Sequence, residues 1–405
     1  MSSPRGTTRT LAAATDLEQL SIPPATPTVT PLTLNVPGWV LDDLRHRLRD
    51  ARLPDRETRA GWAQGVPLDR LRDLTEYWSR DYDWRRLERQ LNDLGQFRTL
   101  IDGVGIHFLH VRSAHADAVP IILSHGWPGS VVEFLKAIGP LTDPTAHGGG
   151  AADAFHVVIP SLPGFGFSDK PIDEGWHPSR IARAWDALMA RLGYDRYLAQ
   201  GGDWGGIVTS QLGKIRPAGL AGVHFTLPEF PIGAPPLRGQ PTAEEEAALA
   251  QMRSLDAGSG YAKQQSTRPQ TLGYGLADSP VGQAAWIYEK FAEWTDTDHD
   301  PEQVLTRDEL LDNITLYWLT NTATSSARIY WEYKVANTIT VELDLPVGVS
   351  VFPREIVRIP RIWAQRAFSG LIYFNDQIPA GGHFAAFEQP GIFVEEMRKF
   401  ARLLR

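Results

Sequence analysis

Between residues 104 and 227 short apolar runs alternate with helical segments, and this alternation leaves the chain few folds to choose from. "VPIILSHGWPGS" is an apolar strand that ends in a Gly/Pro turn, and "VVEFLKAIGPL" has helical spacing. "FHVVIPSLPGFG" is a strand and turn, and "RIARAWDALMARLG" is helical. "RYLAQGGDW" is a strand that feeds a helix over 204–215, and "LAGVHFTL" is the strand after it. Strands joined through helices pair in parallel, because the crossover brings the chain back to start each strand in the same direction. The expected class is α/β with a mostly parallel central sheet.

The flanks read differently. Residues 1–31 are rich in Thr, Ala, Pro and Ser and are expected to be a disordered tail. In "VPGWVLDDLRHRLRDARLPD", Val40, Leu41, Leu44 and Leu48 recur at helical spacing until Pro54 stops them. "LDRLRDLTEYWSRDYDWRRLERQLN" reads as one further helical stretch, its charges forming a solvated face. "FRTLIDGVGIHFLHVRS" reads as two strands joined at Asp102-Gly103, a hairpin signal. These segments make an N-terminal helical and meander region over 32–110. The first part of the α/β core then spans 111–227, and a helical, Trp- and Tyr-rich insertion spans 228–344. The core closes over 345–405 with the strands "VGVSVF" and "GLIYFND" and the helix "IFVEEMRKFARLL". On that helix Val394, Met397, Ala401 and Leu404 lie on one stripe.

Composition removes several functions. Among 405 residues there is no cysteine, which excludes thiolate catalysis and cysteine-based metal sites. The net charge of -8 offers no footprint for nucleic acid or an anionic membrane. No secretory h-region and no run of about 18 apolar residues occurs, so a cytoplasmic location is the expectation.

The stretch "YLAQGGDWGG" carries the chemistry. A residue at a tight strand-to-helix turn is forced into a strained backbone, and the positions two before and two after it must be small. Gly201 and Gly205 stand there, around Asp203. The pattern is a nucleophile elbow with aspartate in place of serine, and the new helix lends its first amides to the carboxylate. "SHGWPGS" follows an earlier strand, which nominates the backbone amides of Trp127 and Trp204 as an oxyanion hole. His383, after Gly-Gly and between the last strand and last helix, holds the chain position of the base. The acid that orients it should follow the penultimate strand, where Glu355 stands in "VSVFPRE"; Asp376 is the other candidate.

A carboxylate nucleophile suits displacement at carbon and yields an alkyl-enzyme ester. Alkyl halides and epoxides are the natural substrates. An epoxide oxygen stays attached and needs a proton, which a phenol supplies. The insertion offers Tyr261, Tyr274, Tyr288, Tyr317, Tyr330 and Tyr333. Trp286, Trp294, Trp318 and Trp331 suggest an apolar pocket beneath a lid, or the lid's own core.

At this point the chain resembles the epoxide hydrolases of microsomal type. "DDLRHRLRDARLPD", "YWSRDYDWRRLERQLN", "SHGWPGSVVEFLK", "GGDWGG", "DSPVGQAAWIYEKFAEW", "VSVFPRE" and "GGHFAAFEQP" carry the likeness over about residues 32–403. The resemblance implies an α/β-hydrolase fold with a helical lid and an N-terminal extension. It implies Asp203 as nucleophile, His383 as base and Glu355 as orienting acid, with Tyr330 in "SSARIY" and Tyr261 in "GSGY" as donors to the epoxide oxygen. It implies a small hydrophobic epoxide as substrate, bound beside Trp127 and Trp204, and no metal or organic cofactor. Mammalian members begin with a membrane anchor; this polar start implies a soluble bacterial or fungal style of member, with a homodimer as one possible assembly. Relatives serve in degradation of foreign epoxides and in antibiotic biosynthesis. A haloalkane dehalogenase, or a non-catalytic binding protein on the same scaffold, are the competing expectations.

Overall fold

A computed structural model describes residues 16–229, 235–336 and 342–405. The described residues form a nine-stranded sheet in the order β1-β2-β3-β5-β4-β6-β7-β8-β9. β1 (Thr30–Leu32), β2 (Gln96–Ile101) and β3 (Val104–Val111) make an antiparallel edge. β3 runs antiparallel to β5 (Phe155–Pro160). From β5 onward the sheet is parallel through β4 (Val119–Ser124), β6 (Tyr197–Gly201), β7 (Leu220–Phe225), β8 (Val347–Ser350) and β9 (Leu371–Asn375). Nearly every residue of β4 to β8 is buried, because helices cover both faces and no alternation with solvent is possible. Asp102 and Gly103 turn the β2–β3 hairpin with φ of 48° and 81°.

Three expectations need correction. Residues 16–31 are not a disordered tail: Asp16–Gln19 is helical, Leu17, Leu20 and Ile22 are buried, and Thr30–Leu32 is the edge strand. Three apolar side chains reach the core there, and the polar composition around them hid that. Residues 1–15 lie outside the described residues. The second helical stretch is two helices, Leu68–Arg80 and Trp84–Leu94. Asp83 ends the continuity, since its carboxylate caps the second helix by accepting from the Arg85 amide at 3.0 Å. Nor do all their charges face solvent. Arg86 donates to the buried carboxylate of Asp312 at 2.6 Å, and Tyr82 donates to it at 2.8 Å. Trp78 donates to Thr315 at 2.9 Å. The N-terminal helices therefore brace the lid helix Arg307–Leu319 from behind.

The insertion between β7 and β8 is helical, as its sequence implies, with helices at Ala243–Ala257, Gly260–Thr267, Pro269–Asp278, Pro280–Trp294, Arg307–Leu319 and Ala323–Ala336. It covers the carboxyl ends of the parallel strands, where open α/β sheets place their ligands.

Candidate active site

β6 runs straight into the helix Asp203–Ile215, and Asp203 sits at the join with φ of +50°. That left-handed conformation costs of order 1–3 kcal/mol for a non-glycine residue and persists only where the surroundings impose it. Glycine at both flanks is required by space. A Cβ on Gly201 would stand 2.1 Å from the Gly205 carbonyl oxygen, and one on Gly205 would stand 1.9 Å from that of Ser124. No side chain fits either position.

The elbow lifts the Asp203 carboxylate into a set of partners. Trp127 donates its backbone N–H to Oδ1 at 2.8 Å. His383 Nε2 lies 3.4 Å from Oδ2. The other ring nitrogen, Nδ1, meets Glu355 Oε1 at 2.5 Å, and the Ile356 amide donates to that same oxygen at 2.8 Å. The order Asp203, His383, Glu355 is thus continuous in space. Trp204 opens the helix after Asp203, so its amide lies in the first helical turn; its ring lies edge-on to Tyr330 at 4.5 Å. Asp376, the alternative acid, accepts instead from the Gln377 side chain at 2.9 Å.

Electrostatics divides these groups. Burial works against an imidazolium at His383, but Glu355 and Asp203 outweigh it and hold the ring well above its ordinary pKa. Burial raises the phenols of Tyr330 and Tyr261, and the Asp203 charge raises both further. Both are therefore protonated at neutral pH and able to donate. Tyr261 stacks on the Trp127 ring at 5.3 Å, and Tyr330 stands edge-on to Trp127 at 5.8 Å.

Two cavities meet at Asp203. One, of about 420 Å³, is lined by Trp204, Ile207, Met252, Leu255, Tyr261 and Tyr330 among others, and is largely apolar. The other, of about 30 Å³, is lined by Glu133, Gln200 and His383 together with Asp203. That volume suits a water molecule, and Gln200 Oε1 is a buried acceptor with no protein partner.

The remaining tyrosines lie elsewhere. Tyr317 donates to the Gly129 carbonyl at 2.8 Å, Tyr274 is exposed, and Tyr288 is buried in the lid. Tyr333 lines the larger cavity and donates to Glu229 at 3.1 Å. Of the four lid tryptophans, Trp294 reaches the site. Its carbonyl accepts the His383 amide at 2.9 Å, and its ring stands edge-on to the imidazole at 5.2 Å. Trp286 donates to Gln265 within the lid.

Sequence reasoning missed two carboxylates. Glu388 takes the amides of Asp296, Gly382 and Phe384 at 2.7–3.1 Å, and so ties the His383 loop to the end of the lid helix. Burial pushes it up to about 7. Glu133 borders the smaller cavity, and burial pushes it up to about 8, so it is neutral at pH 7. Only the folded chain brings them to His383. Among the described residues no group of three or more His, Asp or Glu could hold a metal ion, and no helix is long and apolar enough to cross a membrane.

Comparison with known proteins points one way. The family model for the epoxide hydrolase N terminus matches residues 29–134, and that for the alpha/beta hydrolase fold matches residues 119–304. A provisionally named epoxide hydrolase of Stigmatella aurantiaca is 59% identical over 93% of this chain and 86% of its own length. Epoxide hydrolase 1 of Sus scrofa is 34% identical over 93% of this chain and 89% of its own. The crystal structure of juvenile hormone epoxide hydrolase from Bombyx mori superposes with a TM-score of 0.84 at 30% identity, covering 93% of this chain and 95% of that one. The structure of Aspergillus niger epoxide hydrolase gives 0.81 at 33% identity, covering 96% and 98%.

Proposed function

The chain belongs to the epoxide hydrolase family, and from that premise we propose that it converts a hydrophobic epoxide and water to a vicinal diol through an ester on Asp203. The observation that carries this reading is that two protonated phenols, of buried Tyr330 and half-buried Tyr261, line the same apolar cavity as an elbow carboxylate. A haloalkane needs no such donors; an epoxide oxygen does.

On this reading, ring opening uses these contacts. Trp127 engages Oδ1, which leaves Oδ2 to attack an epoxide carbon. The carbon–oxygen bond breaks, its electron pair goes to oxygen, and that oxygen takes a proton from Tyr330 or Tyr261. The products are a neutral ester and a phenolate. Esterification removes the Asp203 charge, one of the two that hold His383 protonated, so the histidine pKa falls as the ester forms. The ring gives its proton to the phenolate, which restores the phenol, and, now neutral, accepts a proton from a water in the smaller cavity. That water attacks Asp203 Cγ, and the Trp127 amide stabilises the oxyanion on Oδ1, with the Trp204 amide as the second expected donor. Collapse expels the diol oxygen, which takes its proton from His383. The second proton of the water, left on the Asp203 carboxyl, passes to His383 and restores the carboxylate and the imidazolium.

The test is product analysis with styrene oxide and, separately, a 1-haloalkane. The expected result is diol from the epoxide and no halide release. Halide release without diol would move the chain to dehalogenation, and no turnover with a broad epoxide panel would favour a binding role.

A further inference from the structure

One charge in the lid has no part in that scheme. Lys290, in the helix Pro280–Trp294, has a side chain only 3% exposed. Burying an ammonium carries a desolvation penalty that its pairing must repay, and an apolar residue of similar volume often serves a core as well or better. Lys290 pairs with Glu293 at 2.7 Å and Glu289 at 3.3 Å, both partly solvated carboxylates on its own helix. Its ammonium stands 4.7 Å from the centroid of the Tyr261 ring and 5.6 Å from that of Trp294. Tyr261 in turn stacks on Trp127, the residue whose amide holds Asp203.

We propose that Lys290 is a positioning residue for the epoxide-opening acid: its ammonium on the Tyr261 ring fixes the phenol over the nucleophile and favours the negative charge that the ring takes up as its proton leaves. A cation against a ring face is attracted more strongly as the ring becomes electron-rich, so the contact strengthens from phenol to phenolate. Glu293 faces the same phenol and works against its ionisation, and Lys290 neutralises that carboxylate as well. The inference rests on the reading of Tyr261 as a proton donor.

The experiment is a double-mutant cycle on the single-turnover rate of ester formation, with Lys290→Met, Tyr261→Phe and the pair. Lys290→Met is expected to slow ester formation about threefold to thirtyfold, the scale of a desolvated cation–π contact, and to leave ester hydrolysis unchanged. Epoxides whose opened oxygen is a poorer leaving group should lose most. Lys290→Arg should restore most of the rate. In the Tyr261→Phe background Lys290→Met should add little. An equal loss in that background, or equal losses in formation and hydrolysis, would overturn the role of Lys290 and leave that of Tyr261 standing. A Tyr261→Phe variant as fast as the parent would remove the donor and Lys290's role with it. Should Lys290→Met fail to fold, the leaving-group dependence of Lys290→Arg against Lys290→Gln decides: equal dependence contradicts the proposal.

Discussion

The two sides of Asp203 differ in size and polarity. One opens on a largely apolar cavity of about 420 Å³ that holds two phenols; the other on a space of about 30 Å³ that holds His383, Glu133 and Gln200. On the proposed mechanism, the contrast matches one carboxylate to two reactions with opposite needs. Attack on carbon needs an apolar body, excluded water and a proton donor. Release of the ester needs one water, held beside a base. A single undivided pocket would admit water to the epoxide side and weaken the donors by solvation.

Breaking the shared element should abolish both halves. Asp203→Ala is expected to lower diol formation by at least about 10⁵-fold and to bind no epoxide covalently, as read by steady-state assay and intact mass. Breaking the apolar side alone should stop the first step. Tyr330→Phe with Tyr261→Phe is expected to slow ester formation about 10³-fold or more, measured by rapid quench; substantial activity in the double variant would remove both from their assigned role. Breaking the water side should spare the first step. Burial opposes the charge on His383, and the Glu355 carboxylate does most to overcome it, so Glu355→Gln lowers the ring's pKa and loosens its orientation. It should slow ester hydrolysis about 10²-fold while ester formation persists, so that ester accumulates in a stopped time course.

The smallest effect sharpens the polar side. Glu133 has a folded pKa of about 8 against an ordinary value near 4.5. A pKa raised on folding favours the folded state below the lower value, and that advantage is lost as pH rises through the higher. Stability should therefore decline between about pH 4.5 and 8 from this group alone. Glu133→Gln, which cannot ionise, should raise the melting midpoint by about 1–3 °C at pH 8 relative to the parent and change it little at pH 5, read by thermal denaturation. A constant difference across that range would contradict the assignment.

How legible each side was in the sequence follows from how local its determinants are. Asp203 announces itself through Gly201 and Gly205, because the turn that exposes it excludes any Cβ nearby. His383 and Glu355 lie after the last two strands of an alternating pattern, so position in the chain suffices to nominate them. The fold class follows from the same alternation. The lid's donors do not: six tyrosines were equal on chemistry, and only resemblance selected Tyr330 and Tyr261, the pair that lies with Asp203 in the larger cavity. Glu133 left no trace in spacing, since segments far apart in the chain surround it, and neighbouring residues do not disclose the tie of Glu388 to the Asp296 amide or of Lys290 to the Tyr261 ring. The burial of Leu17, Leu20 and Ile22 was masked in the same way by a polar stretch. Arg86 looked like a surface charge until Asp312, far along the chain, came to face it.

The central claim is that the two sides act in sequence through an ester on Asp203. The most direct measurement is the intact mass of a His383→Ala variant after incubation with styrene oxide, followed by peptide mapping. The account predicts a stable gain of one whole epoxide, located on Asp203, because ring opening proceeds while hydrolysis has lost its base. A variant that turns styrene oxide to diol with no adduct on Asp203 would contradict it, since water would then have attacked the epoxide directly.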